Sequence, residues 1–290
     1  MPVKSSKNYS PLYPQQPGLV SRVESMVSKI YPWNPYSLKN KALIYQFTTG
    51  PNCSTVERIP DNCLEFVFEF GPSPKAWLSG SVEELTIESV EPNSTYFIFK
   101  PYSLSGSILA KLGHDELRGQ RIPLNMLLKD ESVIEHLAQA RDFESRVSTF
   151  IDYLRQNIVD SSRRNYLAEQ LQLLICACRG GDRIKNLAKK TGFTPHYCHI
   201  KFRDSLGLTL KTYSDVIRFQ SVVDMLTNLG VRDFHKVIQE NNFFDQAHLI
   251  HVFKKYTKIS PTNYIRRLSH SSDILKNSLN QPSQLLGAAT

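Results

Sequence analysis

The stretch NNFFDQAHLIHVFKKYTKISPTNY (241–264) repeats, in outline, the earlier stretch GFTPHYCHIKFRDSLGLTLKTY (192–213). Upstream of the two stretches, Ile184, Leu187 and Ala188 return fifty positions later as Phe234, Val237 and Ile238. Beyond the turn the interval is fifty-one: Cys198, Phe202, Leu208, Thr209 and Tyr213 return as Leu249, Phe253, Ile259, Ser260 and Tyr264. One extra residue in the second turn accounts for the change. Each copy reads as helix, short turn, helix and a common exit, and unrelated helical hairpins would not share turn, core aromatic and exit tyrosine in register. The pattern predicts a tandem helix-turn-helix.

Punctuation agrees with the periodicity. Thr194 before Pro195 is an N-cap residue followed by proline at the first helical position, and Gly207 ends that helix. Asp245 caps the equivalent helix of the second copy, and Asp182 is placed to cap the helix that begins with RIKNLAKK. TYSDVIRFQSVVDMLTNLG (212–230) joins the copies as one long helix, with Val216, Phe219, Val223 and Leu226 facing one way. YLAEQLQLLICACR precedes the first copy as a helix closed by Gly180-Gly181.

The second helix of such a hairpin must offer its N-terminal half and outer face to a major groove. With Cys198 and Phe202 turned inward, His196, His199, Ile200 and Arg203 face out. With Leu249 and Phe253 inward, Ala247, Ile250, His251 and Lys254 face out. An outward isoleucine has no packing reason on a solvated helix but fits a thymine methyl; packing of Ile200 or Ile250 on the neighbouring long helix is the alternative. His196, His199, Ile200, Ala247, Ile250 and His251 are therefore the candidate base contacts. Arg203, Lys254, Lys255 and Lys258 sit toward the helix ends, where cations meet phosphates. Thr194, beside free backbone N–H groups, is both a cap and a phosphate candidate. Asp245 repels phosphate and is a cap alone.

Charge is consistent with a polyanion. Between Arg163 and His270 there are 18 Lys and Arg against 8 Asp and Glu, whereas residues 1–162 hold 16 against 18. The excess sits wholly in one block, where each neutralised phosphate releases condensed counterions. A solvated basic surface would carry the same charge.

The block from about 164 to 268 resembles the DNA-binding domain of AraC/XylS-type transcription regulators. Phe243, Asp245, Gln246, His248, Phe253, Lys254, Ser260, Pro261 and Tyr264 match the signature of its second half, and Gly192, Phe193, Thr194, Tyr197, Phe202, Leu206, Gly207 and Tyr213 that of its first. Arg218 stands where the family has an arginine in its linker helix. The chain departs from the family at Cys198 (usually leucine), Ile200 (usually arginine) and His251 (often arginine), so the resemblance implies DNA binding without implying an operator. Asn242 replaces the turn glycine, a mild change because Asn tolerates the left-handed conformation. Ile238 replaces a small alanine. The resemblance implies double-stranded DNA and RNA polymerase as partners.

Upstream, ALIYQFTT, CLEFVFEFG, KAWLSGS, LTIESV and STYFIFKPY read as short strands separated by PN, PDN, GPSP and EPNS turns. SLSGSILAKLG, ESVIEHLAQARD and FESRVSTFIDYLRQNIV then read as helices, the last with Phe143, Val147, Phe150, Ile151 and Leu154 on one stripe. The fold class is therefore α+β: a β-rich N-terminal regulatory domain with helices, followed by an all-α tandem helix-turn-helix domain. Expected boundaries are a disordered leader over 1–18, a regulatory or dimerisation domain over 19–160, a polar linker DSSRRN (160–165), the DNA-binding domain over 164–270 and a flexible tail over 271–290. Pro60, Asp61, Cys63, Leu64, Val67, Phe68, Gly71 and Gly80, with Pro101, Leu117 and Leu124, resemble more weakly an uncharacterised domain that precedes the module in one branch of the family. The aromatic strand residues Phe66, Phe68, Phe70, Trp77, Tyr96, Phe97 and Phe99 could form plain core or line an effector pocket. A small-molecule effector and a second copy of the chain are the candidate partners of this domain.

Other functions find less in the sequence. No signal peptide or stretch of about 18 apolar residues points to a membrane, and a cytoplasmic protein is expected. Cys53, Cys63, Cys176, Cys178 and Cys198 show neither disulfide nor zinc spacing. His196/His199 and His248/His251 each place two imidazoles on one helix face, but no carboxylate or thiol pattern completes a metal site. No cofactor motif or catalytic constellation is present; Cys63, in the PDNC turn, is the one candidate reactive thiol, with a small buried hydrophobe as its commoner role.

Overall fold

The computed structural model describes residues 15–20, 23–34, 37–101, 117–128, 130–157, 165–227, 230 and 232–269. The expected helix SLSGSILAKLG, the linker up to residue 164 and the tail 271–290 lie outside them, as do residues 1–14 of the leader. The end of that leader differs from expectation. Gln15 and Gln16 are hydrogen-bonded, and a short helix α1 (Pro17–Val20) buries Leu19 among the side chains of the sheet.

A six-stranded antiparallel sheet has the order β1–β2–β7–β4–β5–β8, from β1 (Ser25–Asn34), β2 (Ser37–Thr48), β7 (Thr95–Pro101), β4 (Glu65–Phe70), β5 (Lys75–Ser79) and β8 (Arg121–Pro123). β3 (Thr55–Arg58) and β6 (Thr86–Ser89) pair separately. Two-residue alternation sorts the sheet's side chains. Ile44, Phe66, Phe68, Phe97 and Phe99 face α2 (Ser132–Gln139) and α3 (Phe143–Asn157), while Tyr45, Phe47, Val67, Tyr96 and Ile98 build a second core on the other face. Phe150 of α3 sits 5.0–6.2 Å, ring centre to ring centre, from Phe66, Phe68, Phe97 and Phe99. These four phenylalanines are core. The edge strand β1 is missing from the sequence reading because none of residues 25–31 is fully buried, so burial leaves no clear alternation, and because it contains Pro32, as edge strands allow.

The C-terminal part is helical throughout: α4 (Tyr166–Ala177), α5 (Ile184–Thr191), α6 (Pro195–Leu206), α7 (Leu210–Thr227), α8 (Phe234–Glu240), α9 (Gln246–Thr257) and α10 (Pro261–Ser269). α7 lies between two cores. Tyr213 and Ile217 join Leu187, Cys198 and Phe202 of the first copy, whereas Val216, Phe219 and Val223 join Val237, Leu249 and Phe253 of the second. No helix among the described residues is long and apolar enough to cross a membrane.

The N-terminal domain holds an ion network that is buried apart from the half-buried Glu88. Lys100 Nζ lies 2.5 Å from both Asp61 and Glu65, and Arg58 lies 3.3 Å from Glu65 and 2.8 Å from Glu88. Burial alone would pull the Lys100 ammonium down, but Asp61 and Glu65 outweigh it and hold it well above the ordinary lysine range. Burial pushes the Glu65 carboxyl up, and Arg58 and Lys100 override this to bring it to about 2. A depressed carboxylate contributes stability that is present above its ordinary value of 4.5 and lost as pH falls toward about 2. Urea unfolding should therefore show stability declining through that window. Lys100→Met should cost about 3–5 kcal/mol at neutral pH, because two buried carboxylates lose their partner, with the deficit shrinking in acid.

Candidate nucleic-acid interface

The two copies build the same structure from different residues. The Phe202 and Tyr213 rings meet edge-on at 5.3 Å and 77°; the Phe253 and Tyr264 rings do so at 5.4 Å and 71°. Thr194 Oγ1 accepts a hydrogen bond from the N–H of Tyr197, and an Asp245 carboxylate oxygen accepts one from the N–H of His248. The turn before each helix has a left-handed residue, Gly192 (φ 78°) and Asn242 (φ 54°). Each helix ends on another, Gly207 (φ 64°) and Lys258 (φ 65°). Asp182 does not cap its helix as expected: Arg183 occupies the N-cap position, and the Asp182 carboxylate accepts from the Arg183 N–H, the Asn186 side chain and Lys190.

On the first helix of the pair, α6, His196, Ile200 (41% exposed) and Arg203 are exposed and His199 is half-buried, opposite the buried Cys198 and Phe202. On α9, Ala247, His251 and Lys254 are exposed and Ile250 is half-buried, opposite Leu249 and Phe253. Lys255 is exposed, with its ammonium 5.0 Å from the Tyr256 ring centre. Lys258 differs from the other phosphate candidates because its ammonium is paired with Glu84 of the N-terminal domain. Ile238 takes a half-buried place at the edge of the second core.

The site has aromatic members that the sequence reading did not place there. Phe193 stacks on Tyr197 at 5.1 Å, both about half exposed, with the Lys201 ammonium 5.7 Å from the Tyr197 ring centre. Phe244, 90% exposed, is the extra residue of the second turn. Its N–H donates to His248 Nδ1, and the His248 ring meets Phe243 edge-on. The change of repeat interval is the signal that could have singled it out. Among the described residues no group of three or more His, Cys, Asp or Glu could hold a metal ion. Burial, with Asp61 adding to it, pushes the Cys63 thiol well up. This disfavours the thiolate that reactivity requires.

Arg218 of α7 joins the copies. It donates to Gly180 O at 2.8 Å and lies 5.6 Å from the Phe243 ring centre. Gly180 (φ 68°) could not be replaced without a clash, since a Cβ there would lie 2.1 Å from Ser214 O.

Residues 187–267 match the model of the family described as "Helix-turn-helix domain". This segment is a helix-turn-helix domain. A helix-turn-helix reads DNA through its second helix. Among solved structures, the chain is similar to the C-terminal domain of AraT, a response regulator from Geobacillus stearothermophilus. That likeness has 18% identity, covers 37% of this chain and 88% of that one, and has a TM-score of 0.34. It is also similar to ToxT from Vibrio cholerae, with 11% identity, 84% of this chain and 98% of that one covered, and a TM-score of 0.42. No curated protein matches the chain.

Thr194→Ala and Asp245→Ala should each cost about 1 kcal/mol of stability through loss of a helix cap. Urea unfolding of the full chain checks this.

Proposed function

We propose that the chain is a sequence-specific transcription regulator whose two recognition helices, α6 and α9, enter successive major grooves on one face of duplex DNA. The observation that carries the reading is the repeated hairpin: one ring pair, one cap and one turn geometry occur twice, each time leaving an outer helix face uncovered. Grooves one helical turn apart would separate the helices by roughly 34 Å. A monomer would then read two half-sites in direct order.

His196, His199, Ile200, Ala247, Ile250 and His251 are proposed to meet base edges. Thr194, Arg203, Lys254, Lys255 and Lys258 are proposed to meet phosphates. Arg203 and Lys254 are exposed and form no ion pair among the described residues, which suits that role. The bound regulator would act in the cytoplasm on RNA polymerase. The N-terminal domain would control it, and contacts from that domain to both helix-turn-helix copies support this part of the reading. A small-molecule effector, or a second copy of the chain, would exert its influence through those contacts.

Selection from a pool of random duplexes with the full chain tests the reading: a defined two-part sequence is expected, and no enrichment at low salt would overturn it. Arg203→Ala and Lys254→Ala should weaken binding to every duplex and lower the salt slope by about one each. His199→Ala or Ile200→Ala should change which sequence is selected while leaving that slope intact.

A further inference from the structure

The turn between β5 and β6 reaches the far ends of both recognition helices. Glu83 holds the Arg118 guanidinium at 2.7 Å, and Arg118 donates to Gly207 O at 2.7 Å, where α6 ends. The next residue, Glu84, pairs with Lys258, where α9 ends. The one after that, Leu85, donates its N–H to Tyr256 O at 2.8 Å and packs against the second core. Gly207 and Lys258 are equivalent positions of the repeat, fifty-one residues apart. Arg118, held by Glu83, and Glu84 therefore meet equivalent points of the two copies, and Leu85 adds a backbone hydrogen bond to the second.

From this we propose that Glu83, Glu84 and Arg118 form a latch on the two recognition helices, and that DNA phosphate competes with Glu84 for Lys258. The proposal rests on the reading of α6 and α9 as recognition helices and adds how their binding is restrained. The chemistry supports competition over permanent closure. A carboxylate and a phosphate are alternative anionic partners for one ammonium, and both members of the Glu84–Lys258 pair are more than half exposed. A solvent-facing pair of this kind is weak and screened by salt, so an approaching polyanion can displace it. On the first copy the grip is a guanidinium on the carbonyl of a helix C-terminus, which favours a cation and needs no DNA-binding residue. Arg118 therefore keeps the N-terminal domain seated while Glu84 exchanges.

The closed latch withholds one cation from DNA and places the Glu84 carboxylate beside the second recognition helix. Opening it returns Lys258 to the phosphate-facing set.

The test is a salt titration of binding to the pool of random duplexes, using the full chain and its Glu84→Gln form. The variant should bind about two- to fivefold more tightly at low salt. The slope of its log-affinity against log-salt should steepen by at most about one, since Glu84 no longer holds Lys258 back from phosphate in part of the bound population. Glu84→Ala should behave alike, and in a Lys258→Gln background the substitution should change neither quantity. If the wild-type chain binds and Glu84→Gln keeps its affinity and slope, the latch is overturned alone. If the wild-type chain binds no duplex at low salt, the reading of the helices fails and takes the latch with it.

Discussion

Lys100 is fully buried between Asp61 and Glu65, and the placement of the two domains depends on this arrangement. A buried ammonium is tolerable only when its charge is matched at close range, so the loop carrying Asp61 is confined to one position. That loop also meets the helical domain. Ile59 enters the second helix-turn-helix core, Pro60 O accepts from the side chain of Gln220, and the Asn62 side chain donates to Tyr213 O. Gln16 ties the leader to the same loop through Ile59 and Asp61. A charge cluster in the β-rich domain therefore determines where the linker helix α7 rests.

α7 carries that position to both copies. Its apolar residues divide between two cores, and Gln220, Ser221 and Ser214 are buried as well. A solitary amphipathic helix would expose one polar face; this one is covered on nearly every side because a third body packs on it. Arg218 adds a direct link between the end of α4 and the second turn. Arg267 of α10, paired with the buried Glu57, adds another between the second copy and the sheet domain. Movement of either domain against the other would disturb the Arg267–Glu57 pair and the contacts of Ile59, Pro60 and Asn62 together.

The copies diverge where their surroundings diverge. Gly207 reaches the left-handed conformation without a side chain, and Lys258 does so with its ammonium held by Glu84. Phe193 faces solvent and stacks on Tyr197, while its counterpart Phe243 is buried under Arg218 and the extra residue Phe244 takes the exposed place. The two outer faces are consequently unlike, one bearing histidines and an arginine and the other an alanine, a histidine and lysines.

The repeat was legible because core positions constrain residue type. A buried i, i+4 pair and an exit tyrosine survive duplication, and a threonine or aspartate at an N-cap satisfies backbone donors that nothing else nearby can reach. The same logic made the aromatic strands visible as alternation, and Phe66, Phe68, Phe97 and Phe99 close around Phe150 as plain core. What could not be read is anything set by the meeting of distant residues. The edge strand β1, with no fully buried side chain over residues 25–31 and with Pro32, has little pattern, and residues 15–18 look like a leader until Gln16 is seen against Asp61, 45 positions away. Helix position marks the phosphate candidates, and position says nothing of Glu84, 174 residues upstream of Lys258. Local hydrophobic period and capping chemistry are properties of neighbours along the chain, so the sequence alone determined the fold of each copy. Charge pairing across a domain boundary depends on which surfaces meet, and only the tertiary structure decided that.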